Sequence, residues 1–224
     1  MGQIIYVSEF GREQNQTAFA AHLATVLAEQ SKAAIVDFSK QAQDLEMFIA
    51  QRHNFNLKNN QNLPVPTYFS YKQNLLEEIS KKFDFIVLDS KKTELMKNAD
   101  VVITLVDDEN ICQQLTSRTS ELSNIFWGEK KARAANGKNT FDHVVIPSAF
   151  LKKEVLEHLQ KNAPSMGYRL SPCLKTWDVY KKGLKSGITI LDKNMPYFKK
   201  DFLEADFLAR RNLKQILEFI WSEK

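Results

Sequence analysis

The chain has 224 residues, 43% of them hydrophobic, which is enough for one α/β domain or two small ones with a substantial core. Its 31 Lys and Arg against 27 Asp and Glu give a net charge of +4, which permits contact with an anionic partner without requiring it. The two cysteines are far apart, which argues against a disulfide scaffold, and the four histidines do not cluster, which argues against a zinc site. No apolar run reaches the ~18–20 residues of a membrane span, and we find no signal pattern. These features predict a cytoplasmic protein.

Apolar segments of strand length alternate with segments of helical periodicity in the first half of the chain. In order, they predict a strand over 4–8, a helix over 16–30, a strand over 32–38, a short helix over 45–52, a loop over 53–67, a helix over 73–82 and a strand over 84–90. The loop over 53–67 is inferred from its asparagines and prolines.

The second half continues this alternation. It predicts a turn over 95–100, a strand over 101–107, a helix over 108–126, a strand over 141–150, a helix over 152–163, a weaker strand over 168–174 and a helix over 197–222. The basic stretch 127–140 is either an insertion loop or a helical arm. The last helix carries a broad apolar face, formed by Phe198, Phe202, Phe207, Leu213, Ile216, Leu217 and Ile220. We also expect its aromatic residues to belong to the core, namely Phe202, Phe207, Phe219 and Trp221.

The main predicted strands are apolar along their whole length instead of alternating. Such strands are typical of a parallel sheet that is covered by helices on both faces. The sequence shows no internal repeat and no clear domain boundary. It therefore predicts one doubly wound α/β domain over 1–224, with a mostly parallel sheet flanked by helices.

Three polar residues fall where a doubly wound sheet binds ligands, at the carboxyl ends of its strands. Asp37 ends the second predicted strand, Asp89 ends the third, and Thr17 opens the first helix. Each aspartate alone is more often a cap of a helix or turn. Together, two strand-end aspartates and a helix-opening hydroxyl match the arrangement that holds Mg²⁺ and phosphate in P-loop nucleotide hydrolases.

The order of several segments carries a family resemblance. The segments "TAFAAHLATVLAEQSKAAIVDFS", "FDFIVLDS", "NADVVITLVDDEN", "FDHVVIPSAF" and "GLKSGITILD" resemble the ParA/MinD group of deviant P-loop ATPases, and within it most closely the division-site positioning ATPases of the MipZ type. The resemblance covers most of the chain and implies a P-loop NTPase-like fold. No single segment is highly specific, but their ordered sum is.

The phosphate-binding loop departs from the family pattern K-G-G-x-G-K-[ST]-T. Aligned without gaps, the signature lysine falls on Gly11, the paired glycines on Arg12 and Glu13, and the phosphate-gripping lysine on Gln16. Only the magnesium-binding hydroxyl, Thr17, remains. Glu13 would repel phosphate, since like charges ~4 Å apart repel by about 4 kcal/mol at an effective dielectric constant of ~20.

Three other parts of the family's nucleotide site are altered as well. The family's D-x-D reads Asp37-Phe38-Ser39, its D-x-P switch reads Asp89-Ser90-Lys91-Lys92, and its adenine-side N-R reads Pro147-Ser148-Ala149. These losses predict a pseudo-ATPase with no catalytic residue and no cofactor. Its vestigial site comprises Gly11, Arg12, Gln16, Thr17, Asp37 and Asp89. If ATP and Mg²⁺ still bind, Thr17 and Asp89 are the metal residues.

The resemblance also implies a cellular setting, in bacterial chromosome partitioning or division-site placement, with a ParB-type protein, FtsZ or an active ParA-like paralogue as partner. Non-specific DNA contact would use basic residues, for which the candidates are Lys130, Lys131, Arg133, Lys138, Lys175, Lys181, Lys182 and Lys185. The alternative for these is a solvated face. We expect a monomer or a nucleotide-independent homodimer, at the nucleoid or pole. Two alternative functions remain open: an ATPase in which Arg12 replaces a lysine, and a scaffold for the paralogue.

Overall fold

The computed structural model describes residues 2–10, 16–38, 43–71, 75–175, 177–192 and 203–222. Within this part of the chain, seven strands form one sheet in the order β3-β2-β4-β1-β5-β6-β7, and every neighbouring pair is parallel. The strands are β1 Gln3–Glu9, β2 Ala33–Asp37, β3 Thr67–Ser70, β4 Phe85–Asp89, β5 Val101–Val106, β6 Asp142–Pro147 and β7 Arg169–Leu170. The parallel sheet that the apolar strands predict is therefore confirmed.

Helices cover both faces of this sheet. They are α1 Gln16–Leu27, α2 Gln43–Asn59, α3 Leu75–Ile79, α4 Glu109–Thr116, α5 Glu121–Ala135, α6 Lys153–Met166, α7 Trp177–Ser186 and α8 Leu203–Trp221, with a 3₁₀-helix over Thr93–Asn98. One hydrophobic core lies between the sheet and α1, α2, α7 and α8, and the other lies beneath α4, α5 and α6. No helix in the described segments has the length and apolar character that a bilayer crossing needs.

Helix α1 is rich in small side chains and is almost completely buried. Ala18, Ala20, Ala21 and Ala24 are each at most 1% exposed, because α1 packs against both β4 and α7. Small side chains let a helix approach its neighbours closely, and alanine also favours helix formation. This close packing fixes the position of the helix start, where Gln16 and Thr17 lie.

The loop predicted over 53–67 is wrong at both ends. Helix α2 continues to Asn59, and Thr67–Ser70 forms the edge strand β3. The chain turns between them where the Asn56 side chain donates to the carbonyl of Leu63 (2.9 Å) and accepts from its N–H (3.0 Å). Asparagine and proline indicate turns locally, but the helix continues past Asn54 and Asn56 and ends before Pro64.

The second half of the chain departs from the predicted elements at several points. The helix predicted over 108–126 is two helices, α4 and α5, and Ser120 caps the second by accepting a hydrogen bond from the N–H of Ser123 (3.1 Å). The basic stretch over 127–140 is helical as far as Ala135, so the helical arm is the correct alternative. Helix α7 was not predicted. The weak strand over 168–174 is reduced to two residues, with an isolated bridge between Ser148 and Leu174.

The final helix is confirmed as α8, but its aromatic residues are not all in the core. Leu213, Ile216, Leu217 and Ile220 are buried as predicted, and Phe219 is partly buried. Phe207 is 64% exposed and Trp221 is 39% exposed, so their assignment to the core is wrong. Phe198 and Phe202 lie outside the described residues.

Candidate functional site

The two strand-end aspartates lie side by side, as the sequence predicts. Strands β2 and β4 are neighbours, and Asp37 and Asp89 are partners in their register. The N–H of Phe38 donates to the Asp89 carbonyl (3.1 Å), which continues the pairing one residue past the strand. Both side chains are buried, Asp37 at 3% and Asp89 at 2% exposure. Asp37 and Asp89 therefore lie together at the carboxyl edge of the sheet.

Helix α1 places two side chains against one of these carboxylates. The Gln16 amide nitrogen donates a hydrogen bond to Oδ1 of Asp89. The Thr17 side chain is also hydrogen-bonded to Asp89. Gln16, which the sequence predicts at the position of the family's phosphate-gripping lysine, is itself only 5% exposed. Its amide is thus directed at the protein's own carboxylate.

Burial dominates the acidity of Asp89. Desolvation raises the pKa of its carboxyl group to about 6, and the negative charge of Asp37 acts in the same direction. The hydrogen bonds from Thr17 and Gln16 and the positive charge of Lys91 lower the pKa, but by less than burial raises it. The ionised form of Asp89 is therefore unfavourable, because these hydrogen bonds and Lys91 compensate its negative charge only in part.

The two residues that would hold Mg²⁺, Thr17 and Asp89, are bonded to the protein's own groups. Hydroxyl and carboxylate oxygens are suitable magnesium ligands in general. Here, however, Thr17 and Asp89 are hydrogen-bonded to each other, and Gln16 takes a second position on the carboxylate. Among the described residues, no group of three or more His, Cys, Asp or Glu side chains is arranged to hold a metal ion. Gly11 and Arg12, the other predicted site residues, lie outside the described part of the chain.

Comparison with known families decides the relationship. Residues 3–220 match the family described as ATPase MipZ. The chain belongs to the MipZ ATPase family. No curated protein sequence matches it.

Solved structures show the same fold at low sequence identity. The chain is similar to an ATP complex of a Cyanothece McdA variant (TM-score 0.60, 13% identity, 98% of this chain and 95% of that one). It is also similar to the Aquifex aeolicus MinC:MinD cell division protein complex (TM-score 0.60, 13% identity, 100% and 97%). A putative plasmid partition protein from Borrelia burgdorferi B31 bound to AMPPNP gives a TM-score of 0.57 at 16% identity (98% and 100%). These matches support the ParA/MinD-like P-loop fold of this MipZ family member.

The segment 147–149, which the resemblance places beside the adenine, is hydrogen-bonded to the sheet. Ser148 is fully buried, its N–H donates to the Val106 carbonyl (2.8 Å), and its Oγ accepts from the N–H of Phe150 (3.2 Å). Phe150 itself is 80% exposed at the end of this turn. Ser148 carries a hydroxyl where the resemblance implies an amide side chain.

The structure separates the basic residues that the sequence singled out. Arg133 is 8% exposed and donates to the Met96 carbonyl (2.9 Å), and the half-buried Lys130 donates to the Gly167 carbonyl. The exposed candidates are Lys131 and Lys138 on one side, and Lys175, Lys182 and Lys185 on the other. Helices α5 and α7 pack on opposite faces of the sheet, so these two groups do not form one patch. The Lys181 side chain lies outside the described residues.

A buried polar cluster beside α1 was missed by the sequence reasoning. Arg52 of α2 and Asp192 form a two-pronged ion pair (2.6 and 2.8 Å), and both side chains are almost completely buried. Nearby, the ring of His22 in α1 accepts a hydrogen bond from the N–H of Ile190 (3.3 Å). The available signal was a single acidic residue, Asp192, at the end of the apolar segment "GITILD", but it names no partner.

Proposed function

We propose that this MipZ family member acts in bacterial chromosome partitioning or division-site placement as a binding module that does not hydrolyse ATP. The observation that carries the proposal is the hydrogen bond from Gln16 to Asp89. In a P-loop hydrolase, a lysine at this position grips phosphate, and a strand-end aspartate supports Mg²⁺. Here the two side chains satisfy each other.

The electrostatics of the site support the same proposal. Gln16 carries no charge, and Asp37 and Asp89 place two carboxyl groups close together in a buried setting. A nucleoside triphosphate brings several negative charges that need cations and backbone N–H groups. The sequence supplies Glu13 and no lysine in the loop 11–17, so only Arg12 could contribute a positive charge there.

Calorimetric titration with Mg²⁺-ATP, paired with a phosphate-release assay, tests this proposal. We expect no binding at micromolar ATP and no turnover above the background. The control is Gly11→Lys with Gln16→Lys, which restores both lysine positions and should gain affinity if the remaining loop can still wrap a phosphate. Micromolar affinity with turnover in the unmodified chain would refute the pseudo-ATPase. In that case Arg12→Ala should abolish turnover if Arg12 replaces the missing lysine.

The proposal also includes a protein partner for this chain. One neighbouring structure is a MinD protein in complex with MinC, and another is a plasmid partition protein, which supports a protein partner for this chain too. We propose a ParB-type protein, FtsZ or a ParA-like paralogue. Binding of each purified candidate should be the same with and without ATP. A partner that binds only when ATP is added would contradict a nucleotide-independent module.

We also propose non-specific DNA contact, through fewer basic residues than the sequence suggested. The exposed lysines Lys131 and Lys138 would act separately from Lys175 and Lys182, because they lie on opposite faces. Phosphate contacts weaken steeply as salt rises. Anisotropy with a labelled duplex at low and moderate salt should show salt-sensitive binding that Lys131→Glu with Lys138→Glu, or Lys175→Glu with Lys182→Glu, reduces. Salt-independent binding, or binding that neither pair affects, would exclude this mode.

A further inference from the structure

The end of helix α5 carries an asparagine directly before a glycine. Asn136 is followed by Gly137, and no other asparagine in the chain precedes a glycine. Asn136 is the C-cap of the helix, and Gly137 has a φ of +66°. Glycine adopts this left-handed conformation without strain, so the dipeptide is part of the signal that ends the helix here.

An asparagine in this position can react with the backbone that follows it. The nitrogen of the next residue attacks the carbonyl carbon of the asparagine side chain and closes a five-membered imide ring. A side chain on that next residue crowds the attack, whereas glycine has none and reaches the widest range of φ and ψ. The attacking N–H must lose its proton, so the reaction is base-catalysed and accelerates as the pH rises.

The structure leaves this dipeptide open to water and free of packing. Residues 134–140 are all exposed. A Cβ built on Gly137 would meet nothing within 4 Å, so no neighbouring element restrains the backbone on that side. Hydroxide and water can therefore reach both the nitrogen that attacks and the ring that forms.

Two hydrogen bonds hold the reacting groups in the folded state and oppose the reaction. The N–H of Gly137 donates to the Ala134 carbonyl (3.1 Å), and the side-chain amide of Asn136 donates to the Ala132 carbonyl (2.8 Å). Both bonds belong to the last turn of the helix, and terminal turns open at a low free-energy cost compared with the core. The attack requires this turn alone to open, so the fold slows the reaction without preventing it.

We infer that Asn136 is a site of spontaneous deamidation in the folded protein. The nitrogen of Gly137 forms a bond to Cγ of Asn136, the Cγ–Nδ2 bond breaks, and the side-chain nitrogen leaves as ammonia. Water then opens the imide at one of its two carbonyls, which gives aspartate or isoaspartate. The net reaction converts an amide and water into a carboxylic acid and ammonia, so solvent supplies every co-reactant.

The product differs from Asn136 in hydrogen bonding and in charge. A carboxylate cannot donate to the Ala132 carbonyl, and a negative charge is unfavourable at the C-terminus of a helix. The new charge also joins a surface whose exposed side chains include Lys131 and Lys138. The modification therefore loosens the last turn of α5 and reduces the positive charge beside it. It needs neither nucleotide nor partner, so it goes beyond the proposed function.

Peptide mapping by mass spectrometry, after timed incubation of the full chain, tests the inference. Trypsin cleaves at the lysine between Asn136 and Asn139, so the two asparagines fall in separate peptides. Asn139 is the matched internal control, because it is exposed in the same loop but precedes Thr140. We expect the Asn136 peptide to gain the mass that marks exchange of an amide for an acid, faster in mildly alkaline than in mildly acidic buffer. The Asn139 peptide should remain largely unchanged.

A variant and the unfolded chain give two further readouts. Glutamine would have to close a six-membered ring, so Asn136→Gln should lose the mass gain in this peptide and leave the rest of the map as it was. In guanidinium chloride the hydrogen bonds of the turn are absent, and Asn136 should react faster than in the folded chain. Reaction at Asn136 no faster than at Asn139 would overturn the inference. So would a rate that does not rise with pH, or a folded chain that stays unmodified while the unfolded chain reacts.

Discussion

At the residue scale, Asp89 is a buried carboxyl group whose hydrogen-bond partners lie at the start of helix α1. Its position at the end of β4 is the one that the sequence predicts. Its side-chain hydrogen-bond partners are Gln16 and Thr17. Burial then makes its ionised form unfavourable, so the site residue should reduce stability at neutral pH.

We predict that Asp89→Asn stabilises the protein at neutral pH. The folded-state pKa of about 6 is above the ordinary value of 3.8, so the folded state binds more protons between these values, and stability falls as the pH rises through 6. The two-unit difference corresponds to about 2–3 kcal/mol. Urea unfolding should show the variant to be more stable at pH near 7.5 and the gain to shrink toward pH 4. Glu78→Gln, on an exposed carboxyl, should show no such trend.

His22 shifts in the opposite direction for the same physical reason. Its Nδ1 lies 2.7 Å from the Ala18 carbonyl and therefore carries the proton, while Nε2 accepts from Ile190. Burial lowers its pKa to about 4. A folded-state pKa below the ordinary value of 6.5 gives stability that is present above 6.5 and is lost as the pH falls toward 4.

We predict that His22→Gln weakens the acid sensitivity of folding. The variant should be less stable than the unmodified chain at neutral pH, because it disturbs buried hydrogen bonds. Between pH near 7.5 and 5, however, its free energy of unfolding should fall by about 2 kcal/mol less. His143, whose pKa burial also lowers, retains part of the sensitivity in both proteins. His53→Gln, on an exposed site, should leave the pH dependence unchanged; if it changes as much as in His22→Gln, the assignment is wrong.

At the scale of elements, the segment after α7 is fixed by contacts that local sequence patterns do not reveal. Gly187 has a φ of +70°, and its carbonyl accepts a hydrogen bond from Arg52 (3.0 Å). A Cβ at Gly187 would lie 2.3 Å from the backbone nitrogen of Arg52. The turn therefore needs both the left-handed conformation and the absence of a side chain, so that α2 and the segment ending at Asp192 can approach each other.

We predict opposite effects for alanine at two glycines. Gly187→Ala should lower the free energy of unfolding by more than about 1–2 kcal/mol, the cost of the left-handed conformation alone, because backbone overlap adds to it. Gly128→Ala, in the interior of α5 with open space around it, should raise it by about 0.5–1 kcal/mol. Urea unfolding measures both. Equal effects at the two positions would contradict the role assigned to Gly187.

At the scale of the whole molecule, two cores share one sheet. The seven strands pair into a single sheet, and the faces are covered by helices from both halves of the chain. Since neighbouring strands belong to both cores, loss of one core exposes the strands that the other needs. The sequence predicts a single domain over 1–224, and such a domain requires that the two cores depend on each other in this way.

We predict that the chain unfolds in one cooperative transition. Trp127 reports on α5 at one face, and Trp221 on α8 at the other. In a Trp177→Phe background, Trp127→Phe leaves Trp221 as the fluorescent probe, and Trp221→Phe leaves Trp127. Each variant should give a urea midpoint by fluorescence that coincides with its midpoint by far-ultraviolet circular dichroism. Separate midpoints for the two probes would instead show that the faces unfold as independent units.

The sequence by itself determined the parallel sheet, the positions of Asp37, Asp89 and Thr17 at its carboxyl edge, and the absence of a lysine from the loop before α1. Strand-length apolar runs and strand-end residues are local patterns, so they can be identified without coordinates. Only the tertiary structure decided that β3 lies at the sheet edge, that α2 continues through its asparagines, and that Gln16 bonds to Asp89. It also decided that Arg133 is buried and Phe207 exposed. These outcomes depend on contacts between residues distant in sequence, whose energies override local propensity.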